Sequence, residues 1–102
     1  MNRAAILLQG LMNQLKAWFP RIQKALYATS VEAIAGSPTG EFTVVVKWTL
    51  KSGEAKQYNK LFDRSFVFGQ TASLDPTAWT VQRRACTYAR EIIAEVLQQR
   101  GV

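Results

Sequence analysis

The sequence predicts an α+β fold, a single domain in which two helices pack on one face of an antiparallel sheet of three or four strands. Two observations predict this order. Apolar residues recur at helical spacing near both ends of the chain, and they alternate with polar residues in the middle. The 102 residues suffice for one modest core, because a chain of this size buries roughly 60–70% of its extended surface.

The first helix is predicted over residues 3–28, where apolar side chains follow an amphipathic spacing. Pro20 interrupts this segment. It removes one backbone donor and clashes with the preceding turn, so it either kinks one long helix or starts a second. The apolar stripe before it consists of Ile6, Leu7, Leu8, Leu11, Met12, Leu15, Trp18 and Phe19.

Strands are predicted at about 31–35, 41–50 and 55–62, with a fourth optional strand at 65–69. A cluster of turn formers at 36–40 separates the first two. The middle strand is the clearest, because β-branched and aromatic side chains suit a pleated, half-buried surface. Its apolar face would carry Phe42, Val44, Val46, Trp48 and Leu50.

The turn between the second and third strands leaves their register open. A two-residue loop at Ser52-Gly53 places the lysines of the third strand, Lys56 and Lys60, in solvent. A three-residue loop with Gly53 in the left-handed conformation shifts the pairing by one residue and turns both lysines to the side of Trp48. We expect the first register, because it keeps the lysines in water.

The last helix is predicted over residues 76–100. Asp75 is a typical N-cap, Pro76 suits the first helical position, and Gly101 provides a stop. Its apolar stripe consists of Val81, Ala85, Tyr88, Ala89, Ile92, Ile93, Val96 and Leu97.

The charge of the chain bears on its partners. Thirteen Lys and Arg against seven Asp and Glu give a net charge of +6. A small basic domain prefers polyanions, namely nucleic acid or an acidic membrane surface. The alternative is a charge that only aids solubility. One cysteine excludes an internal disulfide, and no apolar run reaches the ~20 residues of a membrane span, so a cytoplasmic protein is expected.

Enzymatic and metal chemistry find little support in the composition. The chain has no histidine, which is the usual general base and the commonest metal ligand. Its single cysteine and scattered acidic residues form no ligand set. We therefore expect a protein that is not an enzyme and that holds no metal and no cofactor.

One strand carries the sharpest functional pattern. Lys56, Tyr58, Lys60 and Phe62 alternate, so they share one face in any register. Cations interleaved with aromatic rings suit nucleic acid, because lysines hold phosphates and rings stack on the bases of a single strand. The predicted nucleic-acid-binding residues are Lys47, Lys56, Tyr58, Lys60, Arg64, Arg83 and Arg90.

Two other functions stay open. Adjacent helical residues cannot both face one stripe, so either Trp18 or Phe19 would be exposed beside Lys16 and Arg21. Together with the imperfectly apolar third strand, this predicts a protein-interaction or assembly subunit, a homo-oligomer with Trp18 and Phe19 at its interface. The abundance of aromatic residues also fits a small-ligand pocket between sheet and helices.

The order of elements resembles that of double-stranded-RNA-binding domains, in the strand from Lys56 to Phe62 followed by Arg83-Arg84-Ala85. That family has a Lys-rich signature at the start of its last helix, where this chain has Asp75-Pro76, and its first helix is shorter. The order is also similar to the bacterial nucleoid-associated YbaB family, in a long first helix followed by Val31-Glu32-Ala33 and by Phe42-Thr43-Val44-Val45-Val46. Both resemblances imply nucleic-acid binding, and neither assigns a residue.

Overall fold

The predicted fold class is confirmed by the structure, a computed structural model that describes residues 3–36, 42–62 and 78–100. A three-stranded antiparallel sheet of order β1-β2-β3 lies against two helices. The elements are α1 (Arg3–Ala25), β1 (Ala28–Ala35), β2 (Phe42–Leu50), β3 (Ala55–Phe62) and α2 (Ala78–Leu97), which ends in a 3-10 turn (Gln98–Arg100).

The first helix is one continuous helix. It runs through Pro20, so the alternative of two separate helices is wrong. Pro20 lies on the exposed side, where water can satisfy the carbonyl that loses its donor. The helix ends at Ala25, earlier than predicted, because Tyr27 takes the left-handed conformation with φ 55°. There its N–H donates to the carbonyl of Lys24 at 3.3 Å.

The first strand begins at Ala28, three residues before the predicted start. The pairing with β2 shifts between Ala28 and Ser30, which leaves Thr29 outside the ladder. The Thr29 hydroxyl donates instead to the carbonyl of Thr49 at 3.2 Å. A bulge of this kind breaks the period-two pattern, and this explains why alternation did not reveal the true start of the strand.

The register of the β2–β3 hairpin differs from the one we expected. Trp48 pairs with Lys56, and Val44 pairs with Lys60. Since residues directly opposite each other share a face, both lysines lie on the same side as Trp48. The expectation that they project from the solvent face is therefore wrong.

The loop explains this register. Residues 51–53 form a three-residue connection in which Gly53 has φ 94°, a conformation that glycine adopts at no steric cost. Its N–H donates to the carbonyl of Leu50 at 2.8 Å, and the N–H of Leu50 donates to the carbonyl of Glu54 at 2.8 Å. Backbone bonding in the loop thus decides the register. The lysine charges are accommodated on this face, since Lys56 is exposed and the Lys60 ammonium lies 3.5 Å from the Glu95 carboxylate.

One core lies between the helices and the sheet. The helices approach closely where α1 crosses α2, since a Cβ at Gly10 would lie 3.2 Å from the Cβ of Ala85. The largest fully buried side chains come from all layers: Leu11, Leu15 and Ile22 of α1, Val44, Val46 and Phe62 of the sheet, and Ile92 and Val96 of α2.

Several predictions lie outside the described residues. They are the optional strand at 65–69, the capping residues Asp75 and Pro76, the phosphate-binding candidate Arg64 and the helix stop Gly101.

Candidate nucleic-acid interface

The basic-aromatic pattern of β3 lies on the face that the helices cover. Phe62 is fully buried, and its ring centroid lies 5.3 Å from that of Tyr88 on α2. Tyr58 is half-buried and packs against the core. The Lys60 ammonium lies 3.5 Å from the Glu95 carboxylate of α2. Most of this pattern therefore joins the sheet to α2, and only Lys56 of the four is exposed.

The structure does not bring the other predicted cations to the same surface. Lys47 lies on the opposite face of the sheet, where it pairs with Glu32 of the neighbouring strand. Arg83 and Arg90 are exposed on α2, two helical turns apart. Lys56, in contrast, lines a concave surface.

That concave surface lies at the β2–β3 hairpin end, where two hollows adjoin. The first has a volume of about 320 Å³ and the second about 380 Å³. Tyr27 and Lys51 line both. The first is also lined by Leu26, Trp48, Leu50, Ser52, Lys56 and Gln99, and the second by Pro20, Gln23, Lys24 and Ala28. We call the two hollows, with Lys24, Tyr27, Lys51 and Lys56, the hairpin-end site.

Strand pairing assembles this site. Ala28, at the start of β1, pairs with Leu50, at the end of β2. The residues just before Ala28 therefore meet those just after Leu50. This places the last turn of α1, with Lys24, and the residue after the helix, Tyr27, beside Lys51 in the hairpin loop.

The electrostatics of the hairpin-end site are uniformly positive at the side-chain level. Lys24, Lys51 and Lys56 are all exposed, and no described residue that lines either hollow is acidic. Lys24 also lies in the last turn of α1, where it offsets the partial negative charge at the helix C-terminus. The three ammonium groups thus favour a ligand with several negative charges.

Tyr27 separates the two hollows under backbone strain. The left-handed conformation costs a non-glycine residue about 1–2 kcal/mol, and glycine is the usual residue directly after a helix. The Tyr27 side chain is 72% exposed, so burial does not offset this cost. An exposed aromatic residue therefore lies where the two hollows meet.

The adjacent aromatic pair of α1 divides between core and surface. Phe19 is half-buried and packs against the core. Trp18 is 37% exposed, and the Arg21 guanidinium lies 4.8 Å from its ring centroid, within the range of a cation–π contact. One member of the pair is therefore at the surface, and it is Trp18.

The second exposed surface is the face of the sheet that lies opposite α1 and α2, which we call the open sheet face. No described helix packs on it, and it exposes Ile34 and Leu61. Its β1 and β2 residues pair in matching rows: Ile34 with Val45, Glu32 with Lys47, and Ser30 with Thr49.

Sequence reasoning found Lys56 and missed Lys24, Tyr27 and Lys51. The sequence offered one signal, the position of Lys51 in a predicted turn; that Tyr27 directly precedes β1 is known only from the structure. The two residues can be assigned to one site only when β1 is known to begin at Ala28. The pairing of Ala28 with Leu50 then brings the end of α1 next to the hairpin loop.

Metal binding, membrane insertion and kinship to known proteins find no support in the described part of the chain. Within the described ranges, no group of three or more Asp, Glu, Cys or His could hold a metal ion. None of the described helices combines the length and the apolar character needed to cross a membrane. No protein-family model, curated protein or solved structure matches the chain.

Proposed function

We propose that the protein is a non-enzymatic module that binds nucleic acid, with the lysines of the hairpin-end site holding backbone phosphates. The observation that carries this proposal is the pair of hollows that share Tyr27 and Lys51 and that have lysines at their rims. The net charge of +6 adds a long-range attraction for a polyanion.

Phosphate binding by lysine has a defined physical signature. An ammonium group meets phosphate oxygens as a point charge and reads no base sequence. Each neutralised phosphate releases counterions, so the logarithm of the binding constant falls with the logarithm of salt by about 0.7–0.9 per contact. Contacts from Lys24, Lys51 and Lys56 would together give a slope of about −2 to −3.

The test is a titration of labelled single- and double-stranded DNA and RNA, followed by fluorescence anisotropy across a salt series. The variant Lys24→Gln with Lys51→Gln removes two charges from the hairpin-end site. The matched control, Lys16→Gln with Lys47→Gln, removes two exposed lysines elsewhere. We expect the site variant to bind more weakly and to lose about 1.4–1.8 units of slope, whereas the control keeps most of its affinity and most of its slope.

Two results would reject the proposal. One is a wild-type protein that binds no nucleic acid at low salt. The other is an equal loss of affinity in the site variant and the control, which would show that only net charge matters.

A second candidate function, assembly as a homo-oligomer, is favoured by the rows of the open sheet face. Each row pairs like with like or acid with base, so the surface formed by β1 and β2 is complementary to itself. A two-fold axis parallel to the strands and between β1 and β2 would set Ile34 over Val45 of a second copy. The same axis sets Glu32 over Lys47, in two reciprocal ion pairs.

The charge of this face favours a second copy of the chain over a polyanion. The charges of Glu32 and Lys47 cancel, so the three rows of β1 and β2 carry no net charge, although the chain as a whole has a net charge of +6. Sedimentation velocity over a concentration series tests this candidate. Glu32→Lys should dissociate the oligomer, and Glu32→Lys with Lys47→Glu should restore it. A monomer at all concentrations would reject it, and dissociation by Trp18→Ala alone would locate the interface on α1.

A further inference from the structure

We infer, on the basis of the proposed function, that the hairpin-end site takes single-stranded nucleic acid and that Tyr27 is its stacking platform. An unpaired base would stack on the exposed Tyr27 ring, while the flanking phosphates lie against Lys24 and Lys51. The phosphates supply affinity for any nucleic acid, and the ring supplies the preference for a single strand.

The position of Tyr27 is not explained by stability. Its backbone has φ 55°, where glycine is favoured, and its side chain is 72% exposed. Neither backbone preference nor burial therefore favours tyrosine there. What the position does provide is an aromatic residue whose backbone is fixed directly after α1, because only two residues connect α1 to β1. Strain of this kind, confined to one residue, is typical of binding sites.

The hollows on the two sides of Tyr27 fit the parts of a nucleotide. The first, of about 320 Å³, has apolar lining from Leu26, Trp48 and Leu50, which suits a flat ring, and Ser52 and Gln99 offer hydrogen-bonding groups to its edge. The second has Gln23, Lys24 and Lys51 beside Pro20 and Ala28, so two ammonium groups and one amide are available to a phosphate. Lys51 lines both, where a backbone passing over the Tyr27 ring would need a cation.

A duplex cannot use this arrangement. Its bases are stacked on each other and present no free ring face, whereas the bases of a single strand can turn outward. Tyr27 should therefore contribute to the binding of a single strand and not to that of a duplex. The lysines should contribute to both.

The experiment compares three probes: a labelled oligothymidine strand, an abasic strand of equal length and a duplex. Tyr27→Gly removes the ring, Tyr27→Phe keeps it, and Trp18→Ala removes an exposed aromatic that lies outside both hollows. We expect Tyr27→Gly to weaken binding of oligothymidine by about 5- to 150-fold. Its binding of the abasic strand and of the duplex should stay unchanged. Tyr27→Phe and Trp18→Ala should keep wild-type affinity for all three probes.

A thermal melt separates binding from folding. Glycine adopts the left-handed conformation at position 27 without strain, so Tyr27→Gly should raise the melting temperature while it weakens single-strand binding. Opposite changes in stability and affinity cannot come from a loss of folded protein.

The outcomes distinguish this inference from the function on which it rests. If Tyr27→Gly leaves oligothymidine binding unchanged, or weakens all three probes equally, the stacking role is rejected while salt-dependent binding through the lysines still stands. If Trp18→Ala shows the single-strand effect instead, the platform lies on α1. If the wild-type protein binds no probe at low salt, the proposed function fails, and the stacking role fails with it.

Discussion

The two faces of the sheet are built from the same three strands, and each carries residues that its surroundings do not favour. The covered face carries the lysines of β3, with Lys60 opposite fully buried Val44 and Lys56 opposite buried Trp48. The open sheet face exposes Ile34 at 48% and Leu61 at 61%. The difference teaches that an edge strand can place lysines on a core face, because their long stems cover apolar surface while the charges reach water.

The largest expected effect comes from substituting two adjacent residues of β3 that lie on opposite faces of the sheet. Phe62 is fully buried on the covered face, and Leu61 points to the open sheet face. Phe62→Ala should lower the free energy of unfolding by about 3–5 kcal/mol. Leu61→Ala should change it by less than about 0.5 kcal/mol in a monomer. Urea unfolding measures both, and a larger cost for Leu61→Ala than for Phe62→Ala would mean that the faces are assigned the wrong way round.

The next effect concerns Gly53, whose conformation fixes the hairpin register and therefore the face on which each β3 side chain lies. Gly53→Ala should cost about 1–2 kcal/mol, because φ 94° is unfavourable for any residue with a Cβ. No atom lies within 4 Å of the position where that Cβ would be, so the cost is conformational and not steric. Ser52→Ala, an exposed change in the same loop, is the control and should stay within about 0.5 kcal/mol. Equal stabilities for wild type and Gly53→Ala would contradict the three-residue loop.

Periodicity predicted the fold class well, and local bonding set the details that it missed. Apolar spacing located both helices and all three described strands, because burial on one side imposes it. It could not choose the hairpin register, since a loop with Gly53 can close over two residues or three. Our preference for hydrated lysines favoured the wrong one. The pairing depends on the conformational energy of the loop at residues 51–53, and the pattern of apolar residues carries no information about that energy.

The candidate site was harder to predict than the fold for a related reason. Lys56 belongs to a visible pattern in one strand, but Lys24, Tyr27 and Lys51 come from three different elements. They meet because Ala28 pairs across a bulge, and a bulge removes the alternation that would reveal the strand's start. Sites assembled by irregular backbone are therefore the least visible in sequence.

A smaller effect sharpens the comparison with one pair of opposite charges on each face. On the covered face the Lys60 ammonium lies 3.5 Å from the Glu95 carboxylate, with side chains 26% and 40% exposed. A double-mutant cycle with Lys60→Met and Glu95→Gln should give a coupling of about 0.2–1 kcal/mol that falls with salt. The cross-strand neighbours Glu32 and Lys47 of the open sheet face provide the comparison. Their coupling should be smaller, because water screens both groups, and a larger value there would contradict this account.

The smallest expected effect is the pH dependence of stability that comes from the hydroxyl of Tyr88, which lies beside the covered face. Burial raises the pKa of Tyr88 above its ordinary 10.0, with Glu91 adding to the rise and Arg84 opposing it. The folded state therefore retains the Tyr88 proton at a pH where the unfolded chain has lost it. The free energy of unfolding should stay constant below the unfolded value and fall as pH rises from about 10 through the folded pKa. Tyr88→Phe keeps the ring beside Phe62 and removes the titration, so alkaline urea unfolding of this variant should show a shallower fall than wild type. Identical alkaline profiles would mean that the hydroxyl stays in water and that α2 does not cover this part of the sheet.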